Sequence, residues 1–204
     1  MECLAQRTRR IVGAAFPRHS DLMRRALLAA LLAMIVGFPA LADQRDERLP
    51  GLFDRLKASP SDREAKAIEA VIWQIWSDGG DGETNTLMRR GVEAMAEDDQ
   101  IQALAVFNEM VRRRPDFAEG WNKRATVYFL LGDFTSSVSD IEKTLELEPR
   151  HFGALSGLGQ IYLALDRNAA ALKAFEAALA VDPHLVGVKA AVEDLKKKLQ
   201  GEPT

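Results

Sequence analysis

The sequence predicts an all-α fold, an array of stacked helix-turn-helix units with a helical cap at each end, and two observations predict it. Pro115, Pro149 and Pro183 fall 34 residues apart, and an apolar pattern recurs in phase with them. Leu87, Trp121 and Leu155 keep that spacing, as do Gly91, Ala125 and Gly159, then Ala103, Ser137 and Ala171, then Phe107, Ile141 and Phe175. Each column has a physical reason. Small residues sit where two paired helices cross closely, large ones fill the space between pairs, and proline stops the second helix. Units of this length bury a shared core and leave one curved face free for a partner.

The chain opens with an export pattern over residues 1–42. Arg24 and Arg25 precede an apolar run from Ala26 to Phe38, followed by the small-residue site Ala40-Leu41-Ala42. Cleavage is expected after Ala42, with Met23 as an alternative start of translation. The run is shorter than the roughly 20 apolar residues of a membrane span, so an uncleaved anchor is the secondary reading and no integral span is expected after cleavage. Cys3, the single cysteine, lies ahead of the run, so the mature chain has no disulfide and relies on packing.

After a linker at 43–48, residues 49–83 are expected to form an N-terminal helical cap and a hinge. Ser61-Asp62-Arg63-Glu64 is a capping-box pattern, and Ala65, Ile68, Ile72, Ile75 and Trp76 follow at helical spacing. This pair is out of phase with the prolines, since stepping back one period from Pro115 gives Asp81. It is expected to cover the open edge of the first repeat. Trp73 and Trp76 are expected in its core rather than on a partner-binding patch. The run Asp78 to Glu83 lacks the ligand alternation of a calcium loop and is expected as a flexible hinge.

Three units follow, at 84–117, 118–151 and 152–185. First helices are expected at about 84–97, 118–131 and 152–165, and second helices at about 100–113, 134–147 and 169–181. Asp98-Asp99, Gly132-Asp133 and Asp166-Arg167-Asn168 supply the turns between them. Residues 186–204 are expected as a capping helix and tail, with Val188, Val192, Leu195 and Leu199 on one stripe.

The second and third units, Trp121-x2-Arg124-Ala125-x2-Tyr128…Ser137-x3-Ile141…Pro149 and Leu155-x2-Leu158-Gly159-x2-Tyr162…Ala171-x3-Phe175…Pro183, resemble the tetratricopeptide repeat (TPR) family. The first unit departs from the pattern, with Arg90 and Ala94 at the Leu and Tyr positions. The resemblance covers Thr84 to Leu185 and implies a right-handed superhelix whose first helices line a concave groove. It carries the partner-binding positions onto Asn85, Met88, Val92, Met95 and Ala96, then Glu119, Asn122, Thr126, Phe129 and Leu130, then Gly153, Ser156, Gln160, Leu163 and Ala164. This face is apolar and methionine-bearing. It suits an amphipathic helix or an extended apolar peptide, with Asn122 and Gln160 able to bond its backbone. The family's terminal-carboxylate clamp is missing: its positions hold Met88, Val92, Lys123, Gly153 and Gly157.

Charge narrows the partners. The chain carries −3, and removing residues 1–42 takes away six arginines against Glu2 and Asp21, leaving −7. An acidic protein is a poor ligand for nucleic acid or anionic lipid. Lys196-Lys197-Lys198 is expected to complement the last helix dipole. His151 and His184 stand beside the inter-repeat prolines without metal-ligand spacing and are expected as exposed turn residues. No nucleophile elbow, P-loop or dinucleotide fingerprint occurs, so no catalytic residue, metal or cofactor is expected and the chain is not read as an enzyme. The expected function is an exported, periplasmic adaptor that holds a protein or peptide in its groove. The alternative is a structural subunit of an envelope complex docking through its convex face or its caps.

Overall fold

The computed structural model describes residues 43–201, so the export segment lies outside the described residues. Among the described residues there are nine helices and no strand. A hairpin of α1 (Leu49–Ala58) and α2 (Asp62–Ser77) comes first. The three units follow as α3 (Gly82–Ala96) with α4 (Gln100–Arg113), α5 (Ala118–Leu130) with α6 (Phe134–Leu147), and α7 (Phe152–Ala164) with α8 (Asn168–Val181). The last helix, α9 (Val186–Gln200), packs on α8, with Val192 and Leu195 buried against the third unit.

Local chemistry explains where the helices start and stop. Asp81, Asp99 and Asp133 accept backbone N–H bonds at the starts of α3, α4 and α6, and Ser61 caps α2 through Glu64 N–H. Asp98, Gly132 and Asp166, one period apart, all take left-handed backbone, with φ of 59°, 78° and 53°. Each ends a first helix with paired backbone bonds: Asp99 N–H reaches Ala94 O, Asp133 reaches Tyr128 O and Arg167 reaches Tyr162 O.

Inside each unit a small residue faces a large one. A Cβ added at Gly91 would lie 2.4 Å from the Phe107 ring, and one at Gly159 would lie 2.4 Å from Phe175. Where the second unit has Ala125, the opposing residue is the slimmer Ile141. Arg124, which departs from the family's leucine, forms a bidentate pair with Asp140 at 2.7 Å and reaches Asn108 of the preceding unit at 2.9 Å. Its guanidinium lies 4.8 Å from the Trp121 ring centre. A planar cation between two stacked pairs does here what leucine does by burial.

The N-terminal hairpin is not where the sequence places it. The first unit's apolar cluster, built on Met88, Phe107, Met110 and Phe117, contains no residue of α1 or α2. The hairpin, with residues 43–48 ahead of it, instead runs as a strap along the turns that follow the three units. At the first turn Gln44 donates to Asp116 O at 2.5 Å, and Arg45 pairs with Asp116 at 3.2 Å. At the second, the Arg150 guanidinium lies 4.4 Å above the Phe53 ring, and Trp76 stacks on His151. At the third, His184 Nδ1 lies 3.0 Å from Asp62, and Val181 and Leu185 pack on the strap's core. The apolar face of α2 needs an apolar counterpart, and Phe152 with Leu185 provides it.

The segment expected as a flexible hinge is bonded throughout. Asn85 accepts from Gly79 N–H at 2.7 Å and donates to Asp78 at 2.8 Å, while Arg114 donates to Gly79 O and to Asp81, both at 2.8 Å. A Cβ at Gly79 would meet Thr84 at 2.2 Å, so only glycine fits.

Candidate functional site

Two clefts open between the first helices of the units. One, of about 120 Å³, lies between α5 and α7 and is lined by Asn122, Thr126, Phe129, Gly153, Gly157 and Gln160, with Ala125, Ser137 and Ile141 at its floor. Gly157 leaves it open, on the same face of α7 as Gly153. A Cβ at Gly157 would meet only Ile141 Cδ1, at 3.6 Å. The volume approaches the roughly 150 Å³ that takes a benzene ring inside a protein, so one apolar side chain fits.

The second cleft is broader and open, about 510 Å³, and lies between the end of α2, α3 and α5. Asn85, Met88, Arg89 and Val92 line one side, and Gln74, Ser77, Asp78 and Lys123 the other. Its cations are already paired: Lys123 Nζ lies 3.0 Å from Glu119, and Arg89 lies 3.8 Å from Glu93. Lys123 is held by a buried carboxylate, whereas Arg89 only approaches an exposed one.

The strap touches α7 at Gly153. A Cβ at Gly153 would lie 2.5 Å from Trp73 Cη2, so the indole rests on bare helix backbone. Beneath it is a buried polar cluster. Glu119, at 1% exposure, accepts from Asn122 at 3.0 Å and meets His151 Nε2 at 2.9 Å. His151 Nδ1 accepts the Ala154 N–H at 3.0 Å, so the ring's proton sits on Nε2 and is donated to Glu119. Burial pushes the Glu119 carboxyl up, but the Lys123 charge and the His151 bond outweigh it and hold it below its ordinary value.

The positions carried over by resemblance separate into five groups. Asn122, Thr126, Phe129 and Gln160 line the first cleft, and Asn85, Met88 and Val92 line the second. Glu119 is sealed beneath the strap and is no contact for a partner. Met95 and Leu163 are half-buried against their own units' clusters, and Ser156 donates to Phe152 O at 2.8 Å. Leu130, 52% exposed, lies outside both clefts. Asn85 and Asn122 both spend their amide donors internally, on Asp78 and Glu119. His151 is fully buried rather than an exposed turn residue, because it caps α7 and seats the strap. The seat of Trp73 on Gly153 was missed, since nothing in a local pattern joins the two; the glycines at 153 and 157 were the legible sign that α7 has a bare face.

Among the described residues no group of three or more His, Cys, Asp or Glu side chains is placed to hold a metal ion. No described helix is long and apolar enough to cross a membrane.

Helix pairs stacked in register around a groove define a class of repeat scaffold for protein–protein interaction, and comparison with known proteins agrees. A family model of the tetratricopeptide repeat matches residues 131–185. A TPR repeat-containing protein of Rhizobium etli is 38% identical over 158 residues, covering 78% of each chain. The chain belongs to the tetratricopeptide repeat family. The Hsp70-Hsp90 organizing protein of Triticum aestivum is 27% identical over 117 residues, which is 55% of this chain and 20% of that protein. Among solved structures, the first TPR of Spaghetti bound to an HSP90 peptide is similar in fold, with a TM-score of 0.55 at 20% identity over 57% of this chain and 95% of that one.

Proposed function

We propose that the chain is an adaptor that seats an apolar anchor residue of a peptide or protein partner in the cleft between α5 and α7. The observation that carries this reading is the space left by Gly157 above Ala125 and Ile141, rimmed by Thr126 and Gln160. Two exposed polar side chains can meet the backbone of a bound segment while the floor takes one side chain. The TPR of Spaghetti, bound to its peptide, shows that this fold can hold one. A grip on a terminal carboxylate is not part of the proposal, because Gly153 and Gly157 stand at clamp positions and Lys123 is paired with Glu119. The envelope of a bacterium is the proposed setting, supported by the export pattern of residues 24–42 and by the absence of cysteine after Cys3.

The test is peptide selection on the full chain by phage display, repeated with Gly157→Leu. Leucine at 157 would fill the cleft from a helix position where its Cβ meets no close atom. Peptides that share an apolar anchor and lose binding at least about tenfold to the variant, whose melting is unchanged, support the reading. Peptides that bind both forms alike would move the interaction to the convex face or the caps.

A further inference from the structure

The strap covers one edge of the array, at the turns that follow the units; the opposite edge, at the turns inside the units, is uncovered among the described residues. First helices of 13 to 15 residues hold the two edges roughly 20 Å apart. Eight large apolar side chains stand exposed among the described residues, and four of them, Ile101, Leu130, Leu131 and Leu165, lie at this one edge. Scattered singly they would be ordinary surface, but gathered at three successive turns they form a row. Leu131 and Leu165 are one period apart, each just before a left-handed turn residue, Gly132 or Asp166. Ile101, in the first turn of α4 and 72% exposed, carries the row onto the first unit. In the second unit Phe129 and Phe134, ring centres 5.6 Å apart, stand beside it.

Charge decides what the row accepts. Glu97, Asp98, Asp99, Asp133 and Asp166 occupy the same three turns, and all five are exposed. Among the described residues only Asp166 of these meets a cation, Lys198 at 3.4 Å. Asp98 receives the Gln100 amide, and Asp99 and Asp133 receive backbone N–H groups, which use their oxygens without cancelling the charge. Arg167 is the one basic residue within the turns at 97–101, 131–135 and 165–169. An apolar row set among carboxylates repels anionic lipid headgroups and repels the same edge of a second copy, and it attracts a partner that carries cations beside its own apolar stripe. Neighbouring turns are spaced like packed helices, about 10 Å apart, and about seven residues of helix advance by the same amount. A helix with apolar residues at i, i+3, i+4 and i+7 therefore meets the row at successive units.

We propose that this edge docks a basic amphipathic helix of a partner protein, laid across the three units with its apolar stripe on Ile101, Leu131 and Leu165 and its lysines or arginines against the turn carboxylates. The surface is separate from the cleft between α5 and α7, whose lining includes none of the four exposed residues. The array thus has two independent faces for partners, one that takes a single apolar anchor and one that takes a charged helix.

Two synthetic helical peptides of about 18 residues test it, both with leucines on one stripe and with either lysine or glutamate at the remaining positions. Fluorescence anisotropy of each labelled peptide with the full chain should show the lysine peptide bound and the glutamate peptide free, with affinity falling as salt is raised. Leu131→Ser with Leu165→Ser should weaken the lysine peptide about tenfold or more at unchanged melting, since both side chains are half-exposed. Glu97→Gln with Asp98→Asn should weaken it less and flatten the salt dependence. Gly157→Leu, which fills the cleft, should leave it unchanged, so failure here is distinct from failure of the cleft. The proposal is overturned if the lysine peptide does not bind, if the glutamate peptide binds equally well, or if the serine variant binds the lysine peptide as tightly as the wild type, in which case charge alone holds it. It is also overturned if Leu131 and Leu165 prove to be required for self-association in size-exclusion chromatography or for sedimentation with zwitterionic vesicles, outcomes that make the occupant a second copy or a lipid surface.

Discussion

The imidazole of His151 lies flat against the indole of Trp76, ring centres 4.2 Å apart and planes 10° from parallel, while its Nε2 donates to Glu119 at 2.9 Å. One side chain thus caps α7, satisfies a buried carboxylate and gives the strap its seat. His151→Ala removes all three and leaves Glu119 buried with only Asn122 and Lys123 as partners. Urea unfolding should show a loss of about 3 kcal/mol or more. His184→Ala, whose partner Asp62 is exposed, should lose less than about 1 kcal/mol. Equal losses would refute the difference in burial as the cause.

The small-against-large columns should trade places. Gly159→Ala pushes a methyl into the Phe175 ring, whereas the second unit accommodates Ala125 opposite Ile141. Adding Phe175→Ile to Gly159→Ala should recover part of the lost stability, although Phe175→Ile alone destabilises. A double-mutant cycle should read a coupling of about 1–2 kcal/mol. Strictly additive effects would mean that the columns do not compensate each other.

Acid should weaken the array through Glu119. Its carboxyl is held below its ordinary value, so its contribution is fully present above that value and is lost as pH falls through the lowered one. Asp81 has the same sign, because the backbone N–H and hydroxyl of Thr84 both donate to it. Melting temperature should drop between about pH 5 and about pH 3, less steeply for Glu119→Gln than for the wild type. A Gln variant that drops as steeply would assign the acid sensitivity to other groups.

Export is open to direct measurement. Cell fractionation with N-terminal sequencing should find a form beginning at Asp43 outside the cytoplasm, as the Ala40-Leu41-Ala42 site requires. Recovery of the full-length chain from cytosol would remove the envelope from the proposed function.

The helices were legible because their signals are local. Asp99 and Asp133 cap where they were read as turn residues, and the prolines each stand two residues after the ends of α4, α6 and α8. Trp76 was read as core and is core. The strap's docking was not legible: Ala65, Ile68, Ile72 and Ile75 announce an apolar face but not which apolar surface will meet it. The groove suffered similarly. Family positions mark which face of a helix turns inward, but the depth at each depends on neighbours. Phe129 packs against Phe134 with ring centres 5.6 Å apart, and Met95 packs on the first unit's cluster, so a charge at either would disturb the fold as well as the groove.

The strap also ties the order of synthesis to the order of folding. Repeat arrays can fold as they emerge, each unit on the last, because each contacts only its neighbours. Here Asp62 meets a residue 122 positions downstream. At a synthesis rate of about 5–20 residues per second, α2 waits on the order of 6–25 s for its turn to arrive, with Ile68, Ile72 and Trp76 uncovered. The earliest part of the array to be made is therefore the last to find its place, and during that interval it is the stretch most in need of a chaperone.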